Sequence, residues 1–265
     1  MSPVIIEEGS SPLILAFPHG GTNVPPDIFE NLTENGRKLA DTDWHIHRLY
    51  DGLLENVTTV QATFHRYVVD ANRDPAGVSL YPGQNTTGLC PETDFDGRPL
   101  WKAGYKLDKG EIERRRECFH SPYHAALAHQ IQRVKKQHGI AVLYDCHSIR
   151  SKIPYLFEDT LPDFNIGTNG GTSCNSKFER SVVDACSAAT KYSSVLNGRF
   201  KGGWTTRHYS NPTENIHAIQ MELALSTYAS EEQPWTYNSE GAEKIRNDLR
   251  NILKRLETLS LTIRN

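Results

Sequence analysis

The chain has 265 residues, 37% of them hydrophobic, and a formal net charge of −3. That balance gives no electrostatic footing on nucleic acid or on an anionic membrane, and no run of about 20 apolar residues is available to span a bilayer. Five cysteines, at 90, 118, 146, 174 and 186, form no CxxC pair; their odd number argues against a disulfide framework or a structural zinc knot and predicts free thiols.

The length fits one large domain over residues 1–265. The first residues, MSPVIIEEGSSP, lack the basic start and apolar stretch of a signal peptide, so the expected location is the cytoplasm. Residues 4–18 predict a first strand or a hairpin. In 36–55, Leu39, Ile46, Leu49, Tyr50 and Leu53 recur at three- and four-residue intervals, as on one helix face. TTVQATFHRYVVDANR reads as two β-rich stretches. Residues 79–100, rich in Pro, Gly, Thr and Asp, read as a long binding loop or lid. Residues 108–138 predict one or two helices with a break at Ser121-Pro122, a stripe of Leu127, Ile131 and Val134, and Gly139 as C-cap. A buried strand follows to Tyr144. Residues 158–175 read as loop, Ser176 with Glu179 as a capping box opening a helix, and 197–212 as a Gly-rich connection. IHAIQMELA is a strand, and a last helix over 240–258 presents Ile245, Leu249, Ile252 and Leu256. This alternation predicts a three-layer α/β sandwich around a mixed, partly parallel sheet.

The chemistry concentrates where strands stop. In LILAFPHGG an apolar run ends at His19, and in IAVLYDCHS another ends at His147. A strand that closes on a histidine before a turn presents that side chain at the carboxyl edge of an α/β sheet, where ligands bind. Strand alternation puts Asp145 and His147 on one face, with Asp145 a partner for the histidine or another site group. Glu222 shares a face with Gln220, while Ile219, Met221 and Leu223 point away. A carboxylate in so apolar a segment is costly to bury without a function, and desolvation suits it to take a proton from water. Two histidines and an acid are the donor inventory of a metal-assisted hydrolase. DTDWHIH supplies candidates for a third ligand: Asp43 is preferred, with Asp41, His45 and His47 as alternatives. Arginines near these segments, Arg66, Arg73, Arg150 and Arg207, suit a small acidic substrate, because a guanidinium grips a carboxylate through two hydrogen bonds. Asp70 and Asn72 are placed to orient Arg73 or touch substrate.

Taken in order, PHGGTNVPPDI, ADTDWHIHRLYD, RYVVDANRDP, LYDCHSIRS, GGWTTRHYSNP and IHAIQMELAL resemble the blocks of the N-formylglutamate amidohydrolase (deformylase) family, from about residue 12 to 258. The resemblance implies hydrolysis of N-formyl-L-glutamate to formate and L-glutamate, the last step of one histidine-degradation route. It implies an α/β/α fold similar to zinc carboxypeptidases and aspartoacylase, of the phosphorylase/hydrolase-like type. In those relatives a His-x-x-Glu pair and a distant histidine hold zinc, and a later Glu activates water. Here His19 matches the first ligand, His147 the distant one and Glu222 the base. The Glu of the pair is Thr22, which turns attention to Asp43. DANR resembles the relatives' substrate-binding Asn-Arg, pointing to Asn72 and Arg73.

The expected cofactor is therefore one divalent ion, Zn²⁺ foremost, with Co²⁺ or another divalent metal as the alternative. The ligands are His19, Asp43 and His147; Glu222 moves the proton and Arg66 or Arg73 steadies the oxyanion. Arg73, Arg150 and Arg207 are the candidates for the substrate carboxylates, with Asn72 also placed to touch substrate and Thr206, His208 and the 79–100 loop completing the pocket. The partner is a small acidic N-acyl amino acid, and the oligomeric state is left open. Alternatives are hydrolysis of another N-acyl amino acid or a peptide carboxyl end, and a non-catalytic binder of acidic amino acids.

Overall fold

The computed structural model describes residues 2–79, 83 and 85–263. Residues 80–82 and 84 of the expected 79–100 loop lie outside them. Seven strands form one mixed sheet: β1 (Val4–Glu7), β2 (Leu13–Phe17), β3 (Thr58–Ala62), β4 (Ala141–Ile149), β5 (Phe164–Gly167), β6 (Ser194–Leu196) and β7 (Ile216–Ala224), in the order β1-β3-β2-β4-β7-β5-β6. The β3-β2-β4-β7 core is parallel, while β1 and β5 run antiparallel to β3 and β7. The helices are α1 (Pro26–Phe29), α2 (Ile46–Tyr50), α3 (Lys109–Arg115), α4 (Ser121–His138), α5 (Ser176–Ala188), α6 (Trp204–Tyr209) and α7 (Ser239–Thr262).

β2, β4 and β7 are buried on both faces, as expected of a parallel sheet covered on both sides. One face packs Leu15, Tyr144 and Ile219 against α2, α5 and α7, with Ile245, Leu249, Ile252 and Leu256 as the α7 stripe. The opposite face packs Ala16, Leu143 and Ala218 against Leu127, Ile131 and Val134 of α4. The predicted three-layer α/β/α sandwich is the observed architecture. Among the described residues, no helix is long and apolar enough to cross a membrane.

Several local expectations are corrected. β1 and β2 are no hairpin, because β3 lies between them. The helix read over 36–55 shrinks to α2, since Leu39 and His45 take left-handed backbone (φ 52° and 61°) that interrupts it. The second β-rich stretch, 65–73, is a series of turns. Val68, Val69 and Ala71 are buried there, and Arg115 Nη1 donates to the carbonyls of Tyr67 and Val68, so these carbonyls need no neighbouring strand. In 108–138 the irregularity precedes Ser121-Pro122: Arg116–His120 form one π-helical turn. β5 sits inside the expected 158–175 loop and α6 inside the Gly-rich connection, both too short for periodicity to declare. The N-cap of α5 is Asn175, whose Oδ1 accepts from Lys177 N–H, rather than Ser176.

Candidate active site

Strand register builds the centre. On the adjacent parallel strands β4 and β7, Asp145 lies beside Gln220 and His147 beside Glu222, all four side chains on the face opposite Tyr144 and Ile219. His19 arrives two residues beyond β2. Gly21 is required after it for space: a Cβ there would lie 2.4 Å from the carbonyl carbon of Thr63. Asp43 comes from the loop before α2, tied back by its N–H donating to His19 O at 3.1 Å.

Three donor atoms meet. His19 Nδ1 and His147 Nδ1 are 3.2 Å apart, and Asp43 Oδ2 is 3.2 Å from His147 Nδ1 and 4.0 Å from His19 Nδ1. Donors about 2.0–2.1 Å from a tetrahedral zinc stand roughly 3.3–3.4 Å from one another, so the set fits such an ion. Among the described residues, this trio is the one cluster of histidine, cysteine and acid side chains close enough to hold a metal. The surroundings fit as well. Asp70 Oδ1 lies 2.7 Å from His19 Nε2, which fixes the proton on Nε2 and leaves the Nδ1 lone pair facing the cluster. Asp145 is fully buried, and neither carboxylate oxygen has a hydrogen bond; Oδ2 stands 3.1 Å from His147 Nε2, off the hydrogen-bond line.

The electrostatics follow from burial and opposed charges. Burial pushes the Glu222 carboxyl up to about 8 against the pull of His147 and Arg66. Burial and the Arg66 charge lower the His19 imidazole. Burial disfavours the charged form of His147 too, but Asp145, Asp43 and Glu222 outweigh it and hold it well above its ordinary value. Gln220 is oriented from both ends: Gly203 N–H donates to Oε1 at 2.7 Å, so Nε2 donates to Glu222 Oε2 at 3.1 Å.

The cluster opens into a cavity that is continuous with solvent. His19, His147, Glu222, Gln220, Arg66, Asn72 and Arg73 line it, so the structure brings these predicted residues together. Arg66 Nη2 donates to Asp70 Oδ2 at 2.6 Å, and its guanidinium lies 4.7 Å over the Phe95 ring. Asn72 Nδ2 is 3.1 Å from His147 Nε2, and its Oδ1 accepts from Thr205 N–H. Arg73 Nε donates to Thr87 O, and Nη2 to the Thr86 and Thr87 hydroxyls.

Four predicted residues are placed elsewhere. Arg150 pairs with Asp96 at 3.1 Å in a separate depression. Thr206 is buried behind Gly202, the Arg207 Nε donates to Gly202 O, and exposed His208 stacks on Trp204. α6 turns these last three away from the cavity, a helix hidden by its glycine-rich approach. The alternatives to Asp43 also fall outside the trio. Asp41 Oδ2 accepts from Phe95 N–H, His45 Nε2 donates to Trp235 O, and His47 borders a groove under β2 and β3.

Asn85, Thr86 and Thr87 of the expected 79–100 binding loop line the cavity, and sequence reasoning missed Arg199 beside them. The signal for Arg199 was its place in NGRF, directly after a strand and within the stretch from which Arg207 was chosen.

An α/β/α sandwich carrying a buried His-Asp-His trio beside the buried carboxylate of Glu222 has the arrangement of an amidohydrolase-type enzyme. The chain matches the family model described as N-formylglutamate amidohydrolase over residues 11–229. It is 45% identical over 251 residues to the N-formylglutamate deformylase of Pseudomonas aeruginosa, covering 94% of each chain. It is 44% identical over 250 residues to that of Pseudomonas putida, covering 94% of this chain and 93% of the relative. The crystal structure of N-formylglutamate amidohydrolase from Ralstonia eutropha superposes with a TM-score of 0.79 at 25% identity, over 99% and 98% of the two chains. Atu2144 from Agrobacterium tumefaciens shares the fold at 16% identity, with a TM-score of 0.74 over 98% and 96%. The chain belongs to the N-formylglutamate amidohydrolase family.

Proposed function

We propose that this enzyme hydrolyses N-formyl-L-glutamate to formate and L-glutamate, with His19, Asp43 and His147 holding one divalent ion, Zn²⁺ foremost and Co²⁺ as a working substitute. The meeting of those three donor atoms beside Glu222, at one end of an arginine-walled cavity, carries the reading. The deformylase names of the Pseudomonas relatives support the substrate. When bound, the metal supplies Lewis acidity to the formyl carbonyl.

The chain's own residues do the rest. Water adds to the formyl carbon and gives a proton to Glu222, whose raised pKa brings proton exchange near neutrality. The carbon–nitrogen bond breaks, and Glu222 passes that proton to the departing amine. Gln220 holds Glu222 Oε2 in place meanwhile. Arg66, fixed by Asp70, sets a positive charge at the reacting end for the developing oxyanion. Arg73, next to Asn72, grips the α-carboxylate. Arg150, Thr206, Arg207 and His208 receive no role in the pocket. We take residues 1–265 as one catalytic unit, since both cores share one sheet. We place it in the cytoplasm, where five free thiols persist.

Metal analysis and formate release test the reading together. One zinc per chain, loss of turnover on chelation and recovery with Zn²⁺ or Co²⁺ are expected. Glu222→Gln is expected to keep the metal and lose about 10²–10⁴-fold in kcat. Full turnover in metal-free protein sinks the metal assignment, and wild-type turnover in the variant sinks the base.

A further inference from the structure

Glutamate carries two carboxylates, and the proposed chemistry assigns a cation to one. The α-carboxylate is one carbon from the scissile nitrogen, so its partner must stand beside the reacting end. Arg73 meets that condition, because its chain neighbour Asn72 reaches His147 at 3.1 Å. The second cation must stand farther along the cavity, on a wall that accepts methylenes.

Arg199 stands on such a wall. It lines the same cavity together with Leu156, Ile149 and Phe200. Its Nε donates to Leu156 O at 3.2 Å and its Nη2 to Asn85 O at 3.0 Å. Arg73 is bound to the same short segment, with Nη2 donating to Thr87 Oγ1 at 3.1 Å. The two guanidinium groups are therefore anchored two residues apart on one strap, a span of at most about 7 Å of chain. The carboxylate carbons of an extended glutamate, four carbon–carbon bonds apart, lie roughly 5 Å from each other. Adding one charge-assisted hydrogen bond at each end lets a glutamyl skeleton reach from one arginine to the other.

We infer that Arg199 recognises the side-chain carboxylate and is the residue that makes the enzyme prefer an acidic over a neutral side chain. This deepens the proposed function and rests on it. Among the described contacts, Arg199 Nε and Nη2 donate to the neutral carbonyl oxygens of Leu156 and Asn85, and an incoming carboxylate is the stronger acceptor. Its backbone anchors also give it a structural part, so the test must separate charge recognition from loop support.

The experiment compares N-formylglutamate with N-formylglutamine, the uncharged isostere, on wild type, Arg199→Lys and Arg199→Met, by formate release. Arg199→Met is expected to lower kcat/KM for N-formylglutamate about hundredfold or more, chiefly through KM. N-formylglutamine is expected to change less than about threefold, so the preference collapses. Arg199→Lys is expected to recover part of the preference. Equal losses on both substrates would assign Arg199 to loop support alone, and an unchanged preference would remove it from recognition; either overturns the inference. Wild type inactive on N-formylglutamate would instead overturn the underlying function, a result distinguishable from both.

Discussion

Replacing Asp70 by Asn keeps the shape of the side chain and removes its charge. The carboxylate is fully buried. Oδ1 accepts from His19 Nε2 at 2.7 Å and from the Asn72 N–H at 2.8 Å; Oδ2 accepts from Arg66 Nη2 at 2.6 Å, with Arg73 Nη1 at 3.9 Å. Burial disfavours the charge, yet Arg66, His19 and Arg73 outweigh it and hold the carboxyl well below the usual carboxylate range. Asn offers one acceptor where two sides need one, so an amide N–H must face either the guanidinium or the imidazole N–H. Breaking a buried pair in this way costs about 3–5 kcal/mol, or roughly 6–20 °C in Tm at 2–4 °C per kcal/mol. His19 loses the acceptor that fixes its tautomer, so metal affinity should fall about 10–100-fold. Thermal unfolding followed by circular dichroism measures the first effect, and zinc competition against a chelating dye the second. A Tm within about 2 °C of wild type together with unchanged zinc retention would refute the reasoning.

Asp43→Asn should lose bound metal, whereas Asp41→Asn and His47→Gln should keep it, as elemental analysis of the purified variants will show; metal loss in Asp41→Asn alone would move the third ligand. His217 gives a pH dependence away from the site. Burial lowers its imidazole to about 4, and its Nδ1 accepts from Asn175 N–H. The unfolded chain protonates below about 6.5 while the folded one stays neutral, so this contribution is intact above pH 6.5 and is lost as pH falls toward 4, by about 2–3 kcal/mol. Urea midpoints at pH 7 and 5 should differ less in His217→Gln than in wild type. Gly203→Ala should cost about 1–3 kcal/mol and depress kcat/KM, because the new Cβ would sit 2.3 Å from Asn72 Nδ2; a variant with wild-type kinetics and stability would contradict that close approach.

The parts of the site that ride on long strands were readable from the chain. Period-two alternation put Asp145 with His147 and Gln220 with Glu222, and both pairs stand so. Long helical stripes were equally plain: Leu127, Ile131 and Val134, then Ile245 through Leu256, are buried as the spacing requires. Segments governed by tertiary contact were not. Valines at 68 and 69 carry strong β preference, yet Arg115 claims the carbonyls of 67 and 68 from a helix nearly fifty residues later. Asp43 was separable from Asp41 and His47 only once left-handed residues 39 and 45 had broken the helix that would have paired them. Arg199 was not singled out, for a similar reason: α6, a six-residue helix that periodicity could not declare, sends Arg207 Nε back to Gly202 O.

The parallel pairing of β4 with β7 has a corollary for the cavity. Two nine-residue strands, hydrogen-bonded side by side, hold His147 and Glu222 at a spacing set by the sheet itself. Loop residues 85–87 and 199–200 also line the cavity. Substitutions at 85–87 and 199–200 can therefore reshape the cavity without moving His147 and Glu222 relative to each other.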